Sequence, residues 1–164
     1  MRSLLPLSAA LFVLMAFGTA TAVRPPEARG KASSFERRVI HILNVARAHH
    51  GVPRLKADRR LGRAARMHSA DLARRGLLAH ESSDGTPMAR RVRRFVDARV
   101  VGETIAAIRQ RRGAASTAVR LWLASPPHRA IVLSRAFASI GIGHRTGAVG
   151  RAPALVITAD FASR

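Results

Sequence analysis

Cysteine is absent from the 164-residue chain, and aromatic side chains are scarce. Without cysteine the fold has no disulfides, so its stability must come from packing alone. Tyrosine is also absent, and aromatic residues make up only 4% of the chain. Proteins that bind single-stranded nucleic acids stack bases on aromatic rings, so this shortage argues against a specific nucleic-acid partner.

Acidic residues are few as well: nine Asp and Glu stand against 29 Lys and Arg, which gives a formal net charge of +20. Nearly all of the positive charge is arginine, and much of it lies in residues 90–94 and 109–112. Helical phase predicts that the four arginines of residues 90–94 face solvent. Such a surface attracts polyanions, so we expect adsorption to anionic cell-envelope polymers, the alternative being a simple solvated helix face.

The first 22 residues have the layout of a secretory signal peptide. Arg2 precedes a mostly apolar run from Leu4 to Phe17, and Ala20 and Ala22 form the small-residue pattern of a cleavage site. Because the apolar run is too short to span a bilayer comfortably, we expect cleavage after Ala22 rather than a retained anchor. The mature protein is therefore expected to be extracellular or in the cell envelope, with no transmembrane span.

Residues 23–33, rich in proline, glycine and charge, predict a disordered linker after the signal peptide. Residues 34–164 are then long enough for one domain with one hydrophobic core. Ser33 and Glu36 have the spacing of a capping box, which predicts that the first helix of this domain begins there.

Helical and strand-like patterns follow one another along this domain. Asp58 and Ser116 are placed to cap further helices, and Leu77–His80 is predicted to be a short buried segment. Residues 138–144 and 154–161 alternate like the two strands of a hairpin. Helices on both sides of a few strands predict an α+β fold, a three-layer α-β-α sandwich with a small central sheet.

The sequence has neither an H-E-x-x-H zinc motif nor a G-x-S-x-G nucleophile motif. The candidate catalytic or metal-binding residues are therefore isolated histidines and one acid. Glu103 follows Gly102 within an apolar run, where a carboxylate needs a partner. His80 ends an apolar segment, His128 opens a helix after two prolines, and His68 lies on the apolar face of a predicted helix. From the residues alone, Glu103, His80 and His128 form either a metal or acid–base cluster or, as the default, separate hydrogen bonds.

Five stretches in this order resemble the bacterial branch of the CAP superfamily (cysteine-rich secretory proteins, antigen 5 and pathogenesis-related proteins), whose domain is also called the SCP domain. They are LNVARAHHGVPRL, AARMHSADLARRGLLAH, VGETIA, WLASPPHR and FASIGIG with the later ITADF, within residues 36–161. The resemblance implies an α-β-α sandwich with a large cleft that carries two histidines and two glutamates and holds zinc in some members.

By this resemblance His80 and His128 are the cleft histidines, and Glu103 is one of the glutamates. Ser125 stands where the eukaryotic branch often has the second glutamate, so one polar site residue is missing. His68 matches a histidine frequent in the bacterial branch, which implies either a supporting position behind the cleft or a satisfied core histidine. We expect His80, His128 and Glu103 to bind a weakly held, exchangeable Zn2+, with His68 and Ser125 around them.

Three functions are consistent with the resemblance and the charge. The first is a secreted binding module whose cleft takes a divalent metal and a small apolar or peptidic ligand, such as a lipid or a peptide. The second is a metal-assisted hydrolase of peptides or esters, with His80, Glu103 and His128 as its catalytic residues. The third is a cationic cell-envelope-binding protein with a vestigial cleft. Because Ser125 removes the obvious general base, we favour binding over catalysis.

Overall fold

The computed structural model describes residues 31–109 and 112–164, so the predicted signal peptide and most of the predicted linker lie outside the described residues. The helices are α1 (Ser34–His49), α2 (Arg59–Arg75), α3 (Met88–Arg93), α4 (Ala114–Ala124) and α5 (Pro126–Val132), and the strands are β1 (Lys56–Ala57), β2 (Val101–Ile108), β3 (Ser139–Val149) and β4 (Ala152–Ala162). None of the helices in these residues is both long enough and apolar enough to cross a membrane.

The predicted beginnings of the first two helices are confirmed. Ser33 Oγ accepts a hydrogen bond from the Glu36 N–H at 3.2 Å, and the Glu36 carboxylate accepts one from the Ser33 N–H at 2.7 Å. Asp58 caps α2 by accepting from the N–H groups of Arg60 and Leu61. Both caps satisfy backbone donors that the first turn of a helix leaves without a partner.

Three local predictions were wrong. Helix α4 begins at Ala114, so Ser116 lies inside its first turn, because a left-handed glycine already starts the helix at residue 113. Leu77 and Leu78 are 38% and 39% exposed rather than buried, since the chain leaves α2 along the surface. Arg91 is buried rather than solvent-facing, because the six-residue helix α3 packs that side against the sheet.

The strands form one sheet in the order β1–β3–β4–β2. Strands β3 and β4 form the predicted antiparallel hairpin, which is longer than its sequence pattern indicated and turns at Gly150 (φ 60°). Strand β2 pairs with β4 and lies at the edge of the sheet, with Glu103 directly opposite Asp160. This register places the two carboxyl groups on the same face of the sheet.

Helices cover both faces of the sheet, which confirms the predicted three-layer α+β sandwich. The larger core lies between the sheet and α1, α4 and α5, and it contains Leu43, Trp122 and Val132. Smaller apolar clusters join the other face to α2 and α3, through residues such as Leu72 and Val92. The Trp122 Nε1–H also donates to the Ile105 carbonyl at 3.1 Å, which fastens α4 to the edge strand β2.

Candidate functional site

The predicted site residues come from different layers of the sandwich. Glu103 lies on β2, His80 lies in the loop after α2, and His128 lies in the first turn of α5. Helices α2 and α5 cover opposite faces of the sheet. Ser125 joins α4 to α5, and its side chain makes no capping bond to the first turn of α5.

His80 and Glu103 form a hydrogen-bonded pair that places His80 at the surface of the protein. The His80 Nδ1–H donates to Glu103 Oε1 at 2.7 Å. The Glu103 side chain is fully buried, whereas the His80 side chain is 50% exposed. The hydrogen bond to Glu103 raises the pKa of His80, although burial opposes it. With Nδ1 engaged, Nε2 is the ring nitrogen left to meet a ligand.

His128 has the opposite electrostatic character. Burial lowers the pKa of His128, and the charge of His80 lowers it further. The second effect arises because two protonated imidazoles repel each other. The surroundings of His80 therefore favour its cation, whereas those of His128 favour the neutral imidazole.

His68 supports this pair from behind. It is fully buried on α2, and its Nε2 lies 3.0 Å from the Ala79 carbonyl and 3.5 Å from Glu103 Oε2. A carbonyl only accepts, so the proton is on Nε2, and burial lowers the pKa of His68 in keeping with a neutral ring. This contact ties the residue before His80 to α2, next to the carboxylate that holds His80.

Two further residues contact Glu103 that the sequence reasoning missed. The Arg91 guanidinium donates through Nη2 to Glu103 Oε2 and through Nη1 to Asp160 Oδ2, the latter at 3.2 Å. The side chains of Glu103 and Asp160 are fully buried, and that of Arg91 is 7% exposed. Asp160 carried the same signal as Glu103, a carboxylate inside an apolar strand. Arg91 carried none, because it is one of four arginines in five residues.

The surroundings of Asp160 favour its protonated form over the carboxylate. Burial raises the pKa of Asp160 well above its usual range, and the neighbouring Glu103 raises it further, while Arg91 opposes the shift. Two adjacent buried carboxyl groups with one guanidinium are best satisfied when one of them keeps its proton. The inner part of the site then holds one carboxylate and one cation.

These contacts bear directly on the expected metal site. Glu103 Oε1 accepts from His80, and Glu103 Oε2 lies against Arg91, so a cation at Glu103 would have to displace a fixed positive charge. Within residues 31–109 and 112–164, no group of three or more histidine or acidic side chains is arranged to hold a metal ion. A role for Glu103 as a ligand does not fit this geometry, whereas the imidazoles of His80 and His128 fit zinc chemically. Glu103 instead occupies the outer position that often orients a metal-binding histidine.

Known structures and sequences resemble the chain over most of its described length. An extracellular protein of Bacillus anthracis that contains an SCP domain is 25% identical, with a TM-score of 0.65, and the match covers 82% of this chain and 45% of that one. An outer surface protein of Borrelia burgdorferi has a TM-score of 0.64 at 16% identity, over 78% of this chain and 92% of that one, and shows the fold alone.

The uncharacterized protein YkwD of Bacillus subtilis is 27% identical over 118 residues, which are 71% of this chain and 45% of that protein. The chain thus spans less than half the length of this relative and of the Bacillus anthracis protein. Residues 40–161 match the family model described as the cysteine-rich secretory protein family, which includes every candidate cleft residue. The resemblance found in the sequence is confirmed, and the chain belongs to the CAP (cysteine-rich secretory protein) family.

Proposed function

We propose that the protein is a secreted binding module whose cleft, at His80 and His128, takes a small ligand together with a weakly held Zn2+. The observation that carries this proposal is the hydrogen bond from His80 Nδ1 to the buried carboxylate of Glu103. Within residues 31–109 and 112–164, Nε2 of this half-exposed imidazole makes no hydrogen bond and can meet a ligand. Secretion is supported by the signal-peptide pattern of residues 1–22 and by a relative described as extracellular.

The donor set suits zinc better than a hard cation, because imidazole nitrogen binds zinc and suits Mg2+ or Ca2+ poorly. His80 and His128 would hold the ion, and Glu103 would orient the first of these rings. Bound zinc would supply a Lewis acid with open positions for water or a ligand group. Two protein ligands are fewer than a structural zinc site uses, so the ion should exchange readily.

An apolar or peptidic ligand is supported by the surface next to His80. Leu77 and Leu78 precede His80 in the same loop and are each more than a third exposed. Exposed leucines beside a polar group are typical of sites that bind a partly apolar molecule. A small lipid or a peptide with apolar side chains has both kinds of surface.

Calorimetric titration with zinc tests this site. We expect weak binding to the unaltered protein, and the loss of that binding in His80→Ala and in His128→Ala. Glu103→Gln should weaken binding by about 10–100-fold, as removal of an outer partner typically does. Affinity should fall below about pH 6.5, where imidazoles take up protons, and the raised pKa of His80 should move this loss to higher pH.

His41→Ala is the matched control, because His41 is exposed on α1 and far along the chain from the cleft. This variant should bind zinc as the unaltered protein does. Equal zinc binding by the His80→Ala and His128→Ala variants would show that the cleft assignment is wrong.

A metal-assisted hydrolase is the second candidate, and one observation favours it. A histidine whose Nδ1–H is held by a buried carboxylate is oriented to hold a zinc ion through Nε2, and such an ion would supply an activated water. The chain has no cysteine nucleophile, so the attacking group would be water. Zinc-dependent turnover of a peptide or an ester, abolished by His80→Ala, would favour this candidate over simple binding.

A cationic envelope-binding protein is the third candidate. An open surface depression of about 560 Å³ is lined by Pro87, Ala89, Arg90, Arg93 and Arg94, away from the cleft residues. Three guanidinium groups around one depression support contact with an anionic polymer. This contact is compatible with a working cleft, since the two surfaces share no residue.

A further inference from the structure

Side chains from three parts of the fold contact the Glu103 carboxylate. His80 reaches Oε1 from the loop after α2, and His68 reaches Oε2 from α2 itself. Arg91 reaches Oε2 from α3, and the same guanidinium extends to Asp160 on the neighbouring strand. The carboxylate therefore has one contact with a half-exposed residue, His80, and two with buried residues, His68 and Arg91.

We propose that Arg91 and Asp160 are positioning residues of the cleft, because they fix the Glu103 carboxylate that in turn fixes the ring of His80. This inference deepens the proposed function, since it takes His80 as the residue that meets the ligand. It extends the site by two buried side chains that do not contact the ligand themselves.

Arg91 can fix Glu103 because it is itself held at two points. Its Nη2 donates to Glu103 and its Nη1 donates to Asp160, so the planar guanidinium spans two carboxyl groups that lie opposite each other on β2 and β4. A fork of this kind restricts the rotation of all three side chains, which a single lysine ammonium would not do. The carboxylate of Glu103 is thereby aimed at His80.

Asp160 contributes by anchoring Arg91, whose Nη1 donates to Asp160 Oδ2 at 3.2 Å. Burial and the neighbouring Glu103 raise the pKa of Asp160, which favours its uncharged form beside the ion pair of Arg91 and Glu103. An unbalanced carboxylate at this depth would be costly. The charged groups that act on His80 are Glu103 from the sheet, Arg91 from α3 and Glu81 from its own loop, and His80 in turn acts on His128 of α5.

The experiment reads the tautomer of His80 by nitrogen NMR on the 15N-histidine-labelled protein, at a fixed pH at which the ring is neutral and without added metal. The unaltered protein should carry its proton on Nδ1, as the hydrogen bond to Glu103 requires. In Arg91→Met the Glu103 carboxylate is free to turn away from His80. The ratio of the Nδ1–H form to the Nε2–H form should then fall about tenfold, the worth of the charge-assisted hydrogen bond between His80 and Glu103. Arg91→Lys should give an intermediate ratio, because one ammonium cannot span both carboxyl groups.

Two variants of Asp160 separate anchoring from charge. Asp160→Asn has nearly the shape of the protonated acid and still accepts from Arg91, so the tautomer ratio should stay as in the unaltered protein. Asp160→Leu has a similar size but no acceptor, so the ratio should fall as it does in Arg91→Met. If Asp160 only filled space, the asparagine and leucine variants would give the same tautomer ratio for His80.

Arg90→Met is the matched control, because it removes the same charge from the exposed side of α3. A folded Arg91→Met or Asp160→Leu variant with an unchanged ratio would overturn the proposal, as would an Arg90→Met variant with the same loss. If those two buried-site variants fail to fold, an unchanged ratio in Arg91→Lys would overturn it instead. Because no metal is present, this result is independent of whether the cleft binds zinc.

Discussion

Arg90 and Arg91 are neighbours on one short helix, yet their surroundings differ completely. Arg90 lies at the surface, whereas Arg91 is buried between Glu103 and Asp160. Breaking a buried charge pair by removing one partner typically costs about 3–5 kcal/mol, because the other charge is left unbalanced. Arg91→Met should therefore lower the free energy of unfolding by about that amount at neutral pH.

Denaturant unfolding measured by circular dichroism checks this prediction, with Arg90→Met as the reference. A surface substitution of this kind should change the free energy of unfolding by no more than about 0.5 kcal/mol. Equal stability of the two variants would mean that the buried guanidinium contributes nothing to the folded state.

The contrast also explains what the sequence could predict at this scale. Glu103 could be recognised because it is a carboxylate within an apolar run. His80 could be recognised because it ends one of the stretches that resemble the CAP superfamily. Asp160 had the first of these signals, but its partner depends on the register of β2 against β4, which the chain pattern does not determine. The inward turn of Arg91 depends on how α3 packs on the sheet, and helical phase over six residues is too short to predict it.

At the scale of elements, helix α2 packs closely against strand β3. Gly141 and Gly143 lie where α2 crosses the strand, and a Cβ on Gly143 would come within 2.1 Å of the Arg66 backbone nitrogen. The helix backbone cannot withdraw without moving His68, which sits on the same helix behind the cleft. The two glycines therefore set the distance between the helix and the sheet.

Gly143→Ala should accordingly destabilise the protein by about 3 kcal/mol or more, the upper end of the cost of overpacking. Gly62→Ala is the matched control, because its added Cβ would meet only the Arg66 side chain, at 3.4 Å. That change should be neutral or stabilise the fold by about 0.5–1 kcal/mol, since alanine favours a helix over glycine. Thermal unfolding of the two variants measures the difference, and a stable Gly143→Ala variant would contradict this account of the helix–strand contact.

The elements themselves were more predictable than their ends. The capping hydrogen bonds of α1 and α2 join residues that are two or three positions apart in the chain. The local sequence was therefore enough to predict where these two helices begin. The local sequence did not predict where α4 begins, because Gly113, in a left-handed conformation, is the N-cap instead of Ser116. The surface path of Leu77 and Leu78 depends on which helix layer the loop meets, and apolar character alone does not reveal it.

At the scale of the whole molecule, the most prominent property is the net charge of +20. Cleavage after Ala22 would remove only the charge of Arg2, from +20 to +19, so the mature protein would keep almost all of it. The arginine-lined depression holds Arg90, Arg93 and Arg94 on one surface, and Arg93 and Arg94 are further fixed by bonds to their own surroundings. A preset cluster loses less side-chain freedom on binding than scattered arginines do.

We therefore expect salt-dependent adsorption to an anionic cell-wall polymer that depends on this depression. Replacing its three arginines by glutamine should weaken binding about 3- to 100-fold, since each exposed contact contributes about 0.2–1 kcal/mol. Raising the salt concentration should weaken binding of the unaltered protein too, because charges are screened over about 10 Å at 0.1 M salt. Co-sedimentation with isolated polymer over a salt series measures both effects.

The matched control removes the same charge elsewhere: Arg54, Arg145 and Arg151 are exposed, and their triple glutamine variant should lose much less binding. His80→Ala with His128→Ala should bind the polymer as the unaltered protein does, because the cleft and the depression share no residue. If both arginine variants lose binding equally, net charge rather than a defined surface attracts the polymer. If binding is the same at low and high salt, the attraction is not electrostatic at all, and the apolar surface around Leu77 and Leu78 becomes the better place to look for the contact.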